Sequence, residues 1–196
     1  MASPNGSPMN AIEHLMEEHR TLEGILGAME TWAESLDART DGENGRQLGF
    51  FATFLRDYVD PVHHQKEERV LFEALIEHGF PRDIGPVAAM RREHDECRAL
   101  VRRMTSLAGS AHEWTADDKE SLRGVVFGYI EHLSHHIFKE DNVLYPVAVS
   151  QLPAERLARM VVEFEAMDAA AGRASLLAQA ASLWQPPPYS APAHAL

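Results

Sequence analysis

Two related stretches, HHQKEERVLF (residues 63–72) and HHIFKEDNVLYP (residues 135–146), determine the fold predicted for this chain. Aligned on VLF and VLY, they place His63 opposite His136 and Glu67 opposite Glu140. In each stretch the glutamate follows the histidine by four residues, a spacing that puts both side chains on one face of a helix. A histidine and a carboxylate placed together in this way predict a metal site.

A second pair of stretches, EEHRTL (residues 17–22) and REHDEC (residues 92–97), supplies one histidine each, His19 and His94. All four histidines interrupt helical seams that otherwise consist of Leu, Val and Met. An unpaired polar group in such a seam costs roughly 2–7 kcal/mol, and binding a cation turns that cost into a gain. We therefore predict an all-α, pseudo-symmetric four-helix bundle that encloses a metal site.

Capping and turn signals predict where the helices lie. A first helix is capped by Asn10, with Glu13 completing a capping box, and the loop DARTDGENG follows it. The other predicted helices span about residues 47–78, 84–107 and 154–183, and one starts after Thr115 and has a kink or its end near Pro146. Asp60 and Pro61 predict a kink or a restart within the second helix.

The predicted organisation has four parts: a flexible N-terminus (1–9), the bundle (10–150), a C-terminal helix packing on it (151–184) and a Pro-rich disordered tail (185–196).

The net charge of −12 disfavours nucleic acid as a partner. The single cysteine, Cys97, excludes an intramolecular disulfide framework. No secretory signal or membrane span is recognised, so we expect a cytoplasmic protein without a membrane partner.

Some carboxylates and histidines near the four motifs have open roles. His64 and Glu68 share the i, i+4 spacing of the motif, and Asp141 follows Glu140, so either set of carboxylates can provide the ligands. The internal repeat favours Glu67 and Glu140. The remaining candidates, either as further ligands or as hydrogen-bond partners of the ligating histidines, are Glu23, His64, Glu68, His132 and Asp141.

The segments EEHRTLEGIL, HHQKEERVLF, REHDECRALV and HHIFKEDNVLYP resemble the hemerythrin-like (HHE cation-binding) family over about residues 10–150. They look most like its bacterial branch with an H…HxxxE…H…HxxxE pattern. The resemblance implies an antiparallel up-down four-helix bundle, here with an additional C-terminal helix. It also implies a non-haem di-iron centre bridged by carboxylates and an oxo or hydroxo group, with Zn or Mn as other possible occupants. The ligands carried over are His19, His63, Glu67, His94, His136 and Glu140.

Two departures from the oxygen carriers of this family argue against simple reversible oxygen carriage. The third helix offers only His94, and Arg98 stands where the carriers have a second histidine. The last ligand is a glutamate at i+4, although Asp141 would fit the carriers' aspartate at i+5. The iron-repair relatives are similar in the second to fourth motifs, but they carry an N-terminal cysteine-bearing region that is not recognised here.

We therefore expect a di-iron protein that binds, senses or reacts with O2, NO or peroxide, as a monomer or homodimer. One alternative is an enzyme with peroxidase, catalase-like or NO-reducing activity, with a pocket lined by Tyr129, Cys97 and Met104. Another is a structural or regulatory module that a metal such as zinc stabilises.

Overall fold

The computed structural model describes residues 10–109 and 113–183. The predicted flexible N-terminus and Pro-rich tail lie outside these residues. The described parts of the chain form helices and no strand, which confirms the all-α fold class. None of the described helices is both long and apolar enough to cross a membrane.

The bundle consists of four rods joined by short connections. The first rod is α1 (Ala11–Glu34), followed by a 3-10 turn (Leu36–Ala38). The second rod comprises α2 (Asp41–Phe54), π-helical segments at Leu55–His64 and Glu67–Leu71, and α3 (Phe72–Glu77). The third is α4 (Gly85–Ala108), and the fourth comprises α5 (Ala116–Lys139), a π-helical segment (Glu140–Leu144) and α6 (Tyr145–Gln151). The first rod packs on the fourth, the fourth on the third, and the third on the second.

Capping boxes define where the first, second and fourth rods begin. The Asn10 side chain accepts hydrogen bonds from the backbone amides of Ile12 and Glu13, as predicted. A second box, between Thr40 and Glu43, starts α2 at Asp41. The loop prediction was therefore wrong from Asp41 onward, because the satisfied cap outweighs the poor helix propensity of the glycines that follow.

The second rod does not restart at Pro61. A π-helical segment from Leu55 to His64 carries the chain through the proline, so Asp60 is not a helix N-cap. Two shorter π-helical segments begin at Glu67 and Glu140, which are corresponding positions of the internal repeat. Such turns widen the helix and occur frequently at functional sites.

Two apolar clusters fill the bundle, and a band of buried polar residues separates them. Along α1, Leu15 belongs to one cluster and Leu22 to the other, and His19 lies between them. Along α4, His94 lies in the same way between Met90 and Cys97. The polar band therefore crosses the middle of the bundle.

The C-terminal part of the chain forms two helices, α7 (Ala154–Ala171) and α8 (Arg173–Leu183), where one was predicted. The break lies at Gly172, whose φ of 67° is a left-handed conformation that favours glycine. Helix α7 packs on α1 and on the second rod, and it buries Met160 and Phe164 there. These helices cover one side of the bundle.

Candidate metal centre

Four histidines of the polar band form two pairs. The Nε2 atoms of His19 and His63 lie 3.0 Å apart, and those of His94 and His136 lie 3.1 Å apart. All four side chains are at most 1% exposed. Each pair joins two different rods, as the four predicted motifs require.

Two buried glutamates connect the histidine pairs. Glu67 Oε2 lies 3.6 Å from Nε2 of His63 and 3.3 Å from Nε2 of His94. Glu140 Oε2 lies 3.2 Å from Nε2 of His136 and 3.3 Å from Nε2 of His19. Both carboxylates thus face the band and reach from one pair to the other. The six side chains of the predicted ligand set are brought together.

Each of the four histidines also meets a carboxylate at its outer nitrogen. The Nδ1 contacts are His19 with Asp141 at 2.7 Å, His63 with Glu18 at 3.1 Å, His94 with Glu68 at 2.7 Å, and His136 with Glu93 at 3.0 Å. An Nδ1–H that donates to a carboxylate leaves the Nε2 lone pair free to face the centre. Glu68 and Asp141 therefore orient histidines, while Glu67 and Glu140 face the space between the pairs.

The histidines and carboxylates of the cluster shift one another's pKa. Burial alone would lower the pKa of His19, yet the neighbouring carboxylates of Asp141 and Glu140 raise it to about 9. Burial also opposes the shift at His136, whose pKa Glu140 and Glu93 raise to about 10. In return, and against the effect of burial, His136 and His19 hold the pKa of Glu140 well below its usual range. The cluster therefore contains carboxylate charge that needs positive charge beside it, either protons or a cation.

The repeat is broken at two positions close to the histidines. Tyr145 stacks on His19 with ring centroids 5.4 Å apart, and its counterpart Phe72 stacks on His94 at 5.7 Å. Only the tyrosine brings a hydroxyl, which donates to Glu67 Oε1 at 2.6 Å. The two halves of the centre therefore differ in proton donors.

The second difference is His64, whose counterpart in the repeat is Ile137. His64 is 1% exposed and stacks on His94 with centroids 3.8 Å apart and an interplanar angle of 11°. One of its ring nitrogens lies within 4.8 Å of a ring nitrogen of His94 and of one of His136. Neither nitrogen of His64 has a hydrogen-bond partner among the described residues. A metal ion lies in the plane of the imidazole that binds it. His64 can therefore join the other two rings on one ion only by rotating out of the stack.

Arg98 occupies the turn after His94. Its guanidinium donates to Glu68 Oε1 at 2.8 Å and to Asp60 Oδ1 at 2.7 Å. Nδ1 of His94 contacts the same oxygen of Glu68, so Arg98 helps to hold that carboxylate in place. The structure does not bring Glu23 or His132 into the cluster: Glu23 pairs with Arg20 on the surface, and His132 Nε2 lies 3.1 Å from the backbone oxygen of Glu93.

A buried charge network links the C-terminal helices to this centre. Glu18, which holds His63, also accepts from Arg173 Nε at 3.1 Å and from Lys66. Asp168 of α7 pairs with the same lysine. The carboxylates here already have two cationic partners, so the group formed by His14, Glu18 and Asp168 is a salt-bridge network and not a further metal site.

Sequence reasoning missed Glu18, Glu93 and Tyr145. A usable signal was present, since Glu18 and Glu93 each directly precede a seam histidine. Lys66 and Lys139, which pair with these glutamates, also occupy corresponding positions of the repeat. Spacing within one helix did not reveal them, because each glutamate holds a histidine on a different rod.

Comparisons with known proteins agree with the observed centre. A family model described as the hemerythrin HHE cation-binding domain matches residues 10–148. An uncharacterized protein of Mycobacterium tuberculosis is 28% identical over 158 residues, which are 81% of this chain and 61% of that protein. A probable iron-sulfur cluster repair protein of Haemophilus influenzae is 25% identical over 149 residues, 71% of this chain and 65% of that protein. The iron-sulfur cluster repair protein YtfE of Musicola paradisiaca is 33% identical over 95 residues, 44% of this chain and 40% of that protein. The chain thus spans less than two thirds of the length of these relatives.

Proposed function

Since this chain belongs to the hemerythrin HHE cation-binding domain family, we propose that its bundle holds a pair of iron ions and uses them to bind, sense or react with O2, NO or peroxide. The observation that carries the proposal is the pair of glutamates, each reaching from one histidine pair to the other. The likeness to iron-sulfur cluster repair proteins supports a function connected with iron.

The side chains present fit such ions. Three carboxylate oxygens, Oε2 of Glu67 and both of Glu140, are buried and have no hydrogen-bond partner among the described residues. Imidazole nitrogens lie 3.2–3.6 Å from two of these oxygens, but none is in hydrogen-bonding geometry. Buried acceptors left unpaired cost about 1–3 kcal/mol each, and a cation placed between them removes that cost. A set of imidazole and carboxylate donors suits iron.

In this proposal the two histidine pairs, His19 with His63 and His94 with His136, would hold the ions together with Glu67 and Glu140. The outer carboxylates keep the histidines in the tautomer whose Nε2 lone pair faces inward. Apolar residues above and below the band, such as Leu15 and Leu22, exclude bulk water. A pair of iron ions supplies two one-electron changes of oxidation state, which suits reactions with O2, NO or peroxide.

Tyr145 holds a proton beside the His19–His63 pair. Burial raises the pKa of this phenol well above its ordinary value, so the hydroxyl stays protonated and donates to Glu67. The same oxygen lies 3.3 Å from His19 Nε2. The single O–H of Tyr145 is thus engaged by Glu67 beside the His19–His63 pair, whereas Phe72 offers no such donor at the other pair.

The test is to load the chain with iron and measure the metal content and the visible spectrum, first without air and then on exposure to it. We expect about two iron ions per chain and near-ultraviolet absorption that develops with oxidation. The His136→Ala variant should lose iron, and the His135→Ala variant should keep it, because His135 is an exposed neighbour. Fewer than about one iron per chain in the unaltered protein would refute the proposal. Strong binding of zinc without a redox-dependent spectrum would favour the structural alternative.

A further inference from the structure

A cavity of about 280 Å³ opens between the second rod and α4 and ends against α5. His64, Cys97 and Tyr129 form its inner wall, and each is at most 1% exposed. The expected substrate pocket included Tyr129 and Cys97, which are found here. Met104 lies in the adjoining apolar cluster instead.

We propose that this cavity binds a small organic carboxylate, with the hydrocarbon body inside and the carboxylate at Arg102. The site goes beyond the proposed metal function and does not depend on a bound ion. It adjoins the metal centre through His64, which stacks on His94.

The size of the cavity and its aliphatic wall determine what the body of the ligand is. A water molecule occupies about 30 Å³ of liquid, and O2 or peroxide has only two heavy atoms, so the cavity is far larger than these ligands need. Its volume lies near the lower limit of small-molecule sites, about 300 Å³. Leu55, Val59 and Val101 line its sides. These features suit an aliphatic chain.

The charges at the cavity determine the polar end of the ligand. Three arginines line the cavity, Arg56, Arg98 and Arg102. Two of them already form ion pairs, Arg98 with Asp60 and Arg56 with Asp57. Arg102 is exposed and forms no ion pair with any of the described residues. A free guanidinium binds a carboxylate through parallel hydrogen bonds.

The inner wall carries polar groups that apolar packing does not require. The Tyr129 hydroxyl and both ring nitrogens of His64 lack hydrogen-bond partners in the part of the chain that the structure describes. The nearest carboxylate oxygen to His64 Nδ1, on Asp60, is 3.9 Å away. These atoms are themselves closed to solvent, so the inner wall presents mainly carbon to the cavity, which suits an aliphatic chain.

Titration of the zinc-loaded full chain with a series of carboxylates from butyrate to hexanoate tests the site. Amide NMR shifts give both the location and the Kd. Each added methylene should strengthen binding about fourfold until the cavity is full. Because the Arg102 guanidinium is exposed, Arg102→Gln should weaken hexanoate about two- to fivefold and leave 1-hexanol unchanged. Thr105→Trp, which fills the mouth, should abolish the binding of both compounds.

The matched control is Arg103→Gln, which removes the same charge from an exposed neighbour outside the cavity. It should leave both affinities unchanged. Equal losses for the two arginine variants, shifts that map elsewhere, or no binding at millimolar hexanoate would overturn the proposal. Because binding is measured on the zinc form, a failure of iron loading leaves this result intact, and the reverse also holds.

Discussion

Replacing Glu18 or Glu93 by glutamine should have different effects on the stability of the protein but similar effects on metal binding. The two residues occupy corresponding positions in the repeat, and each orients a histidine, but their surroundings differ. Glu18 is fully buried and holds His63, Arg173 and Lys66, which is also fully buried. Removing its charge leaves buried cations underpaired, a change that typically costs 3–5 kcal/mol. We therefore expect Glu18→Gln to destabilise the metal-free protein by about 3–5 kcal/mol.

Glu93 has the same role toward His136 in a more open setting. Its cationic partner Lys139 is 43% exposed, and Glu93 itself is 19% exposed. Exposed pairs of this kind contribute about 1 kcal/mol or less. Glu93→Gln should thus cost about 1 kcal/mol. Both variants should nevertheless weaken metal binding about 10–100-fold, since each loses the carboxylate that orients a ligating histidine.

Urea denaturation of the metal-free proteins measures the first effect, and competition with a chromophoric chelator for zinc measures the second. Glu17→Gln is the matched control, because this exposed neighbour contacts neither centre nor network through its side chain. Equal destabilisation by Glu18→Gln and Glu93→Gln would refute the assigned role of the buried network. Unchanged metal affinity in both variants would refute the role of the outer carboxylates.

Three further outcomes follow from the same contacts. Tyr145→Phe removes the hydroxyl that donates to Glu67, so it should lower the free energy of unfolding, measured in urea, by about 1–2 kcal/mol. The iron content should stay unchanged. Loss of iron would show instead that the phenol is needed to hold it. Because the pKa of His19 is raised to about 9 and that of His136 to about 10, the stability that they confer on the metal-free protein is present below pH 6.5 and lost as the pH rises through these values. Urea midpoints measured between pH 6.5 and 10 should therefore fall for the metal-free form and change less for the metal-loaded form, and a rise would contradict the pairing. Burial raises the pKa of Cys97 to about 12, so the native protein should resist iodoacetamide at pH 8 until urea unfolds it; rapid labelling of the folded chain would contradict this burial.

The repeat and the helical spacing were sufficient to predict the bundle and the six histidine and glutamate side chains that come together at its centre, but not Glu18, Glu93 or Tyr145 around them. His63 and His136 each carry a glutamate one turn on, and this local spacing survives in the fold because it lies within single helices. The choice of Glu67 over Glu68 also rested on the repeat. In the structure Glu67 lies between His63 and His94, and Glu68 binds the outer nitrogen of His94.

The spacing of residues within one helix could not predict contacts between rods. Glu18 holds His63 and Glu93 holds His136, and in each case the partner lies more than 40 residues away. The contact of Arg173 with Glu18 likewise depends on the helix break at Gly172. The alanine-rich pattern of the C-terminal segment predicted one unbroken helix there. Helix periodicity determines which face of a helix is buried, but not which helix it meets.

The central claim is that one ion lies at each histidine pair and that two glutamates join them. Anomalous diffraction from crystals of the iron-loaded chain, recorded at the iron absorption edge, tests it most directly. The account predicts a pair of peaks, one between His19 and His63 and the other between His94 and His136, with Glu67 and Glu140 contacting both. A single peak, or iron bound outside the band of six side chains, would contradict it.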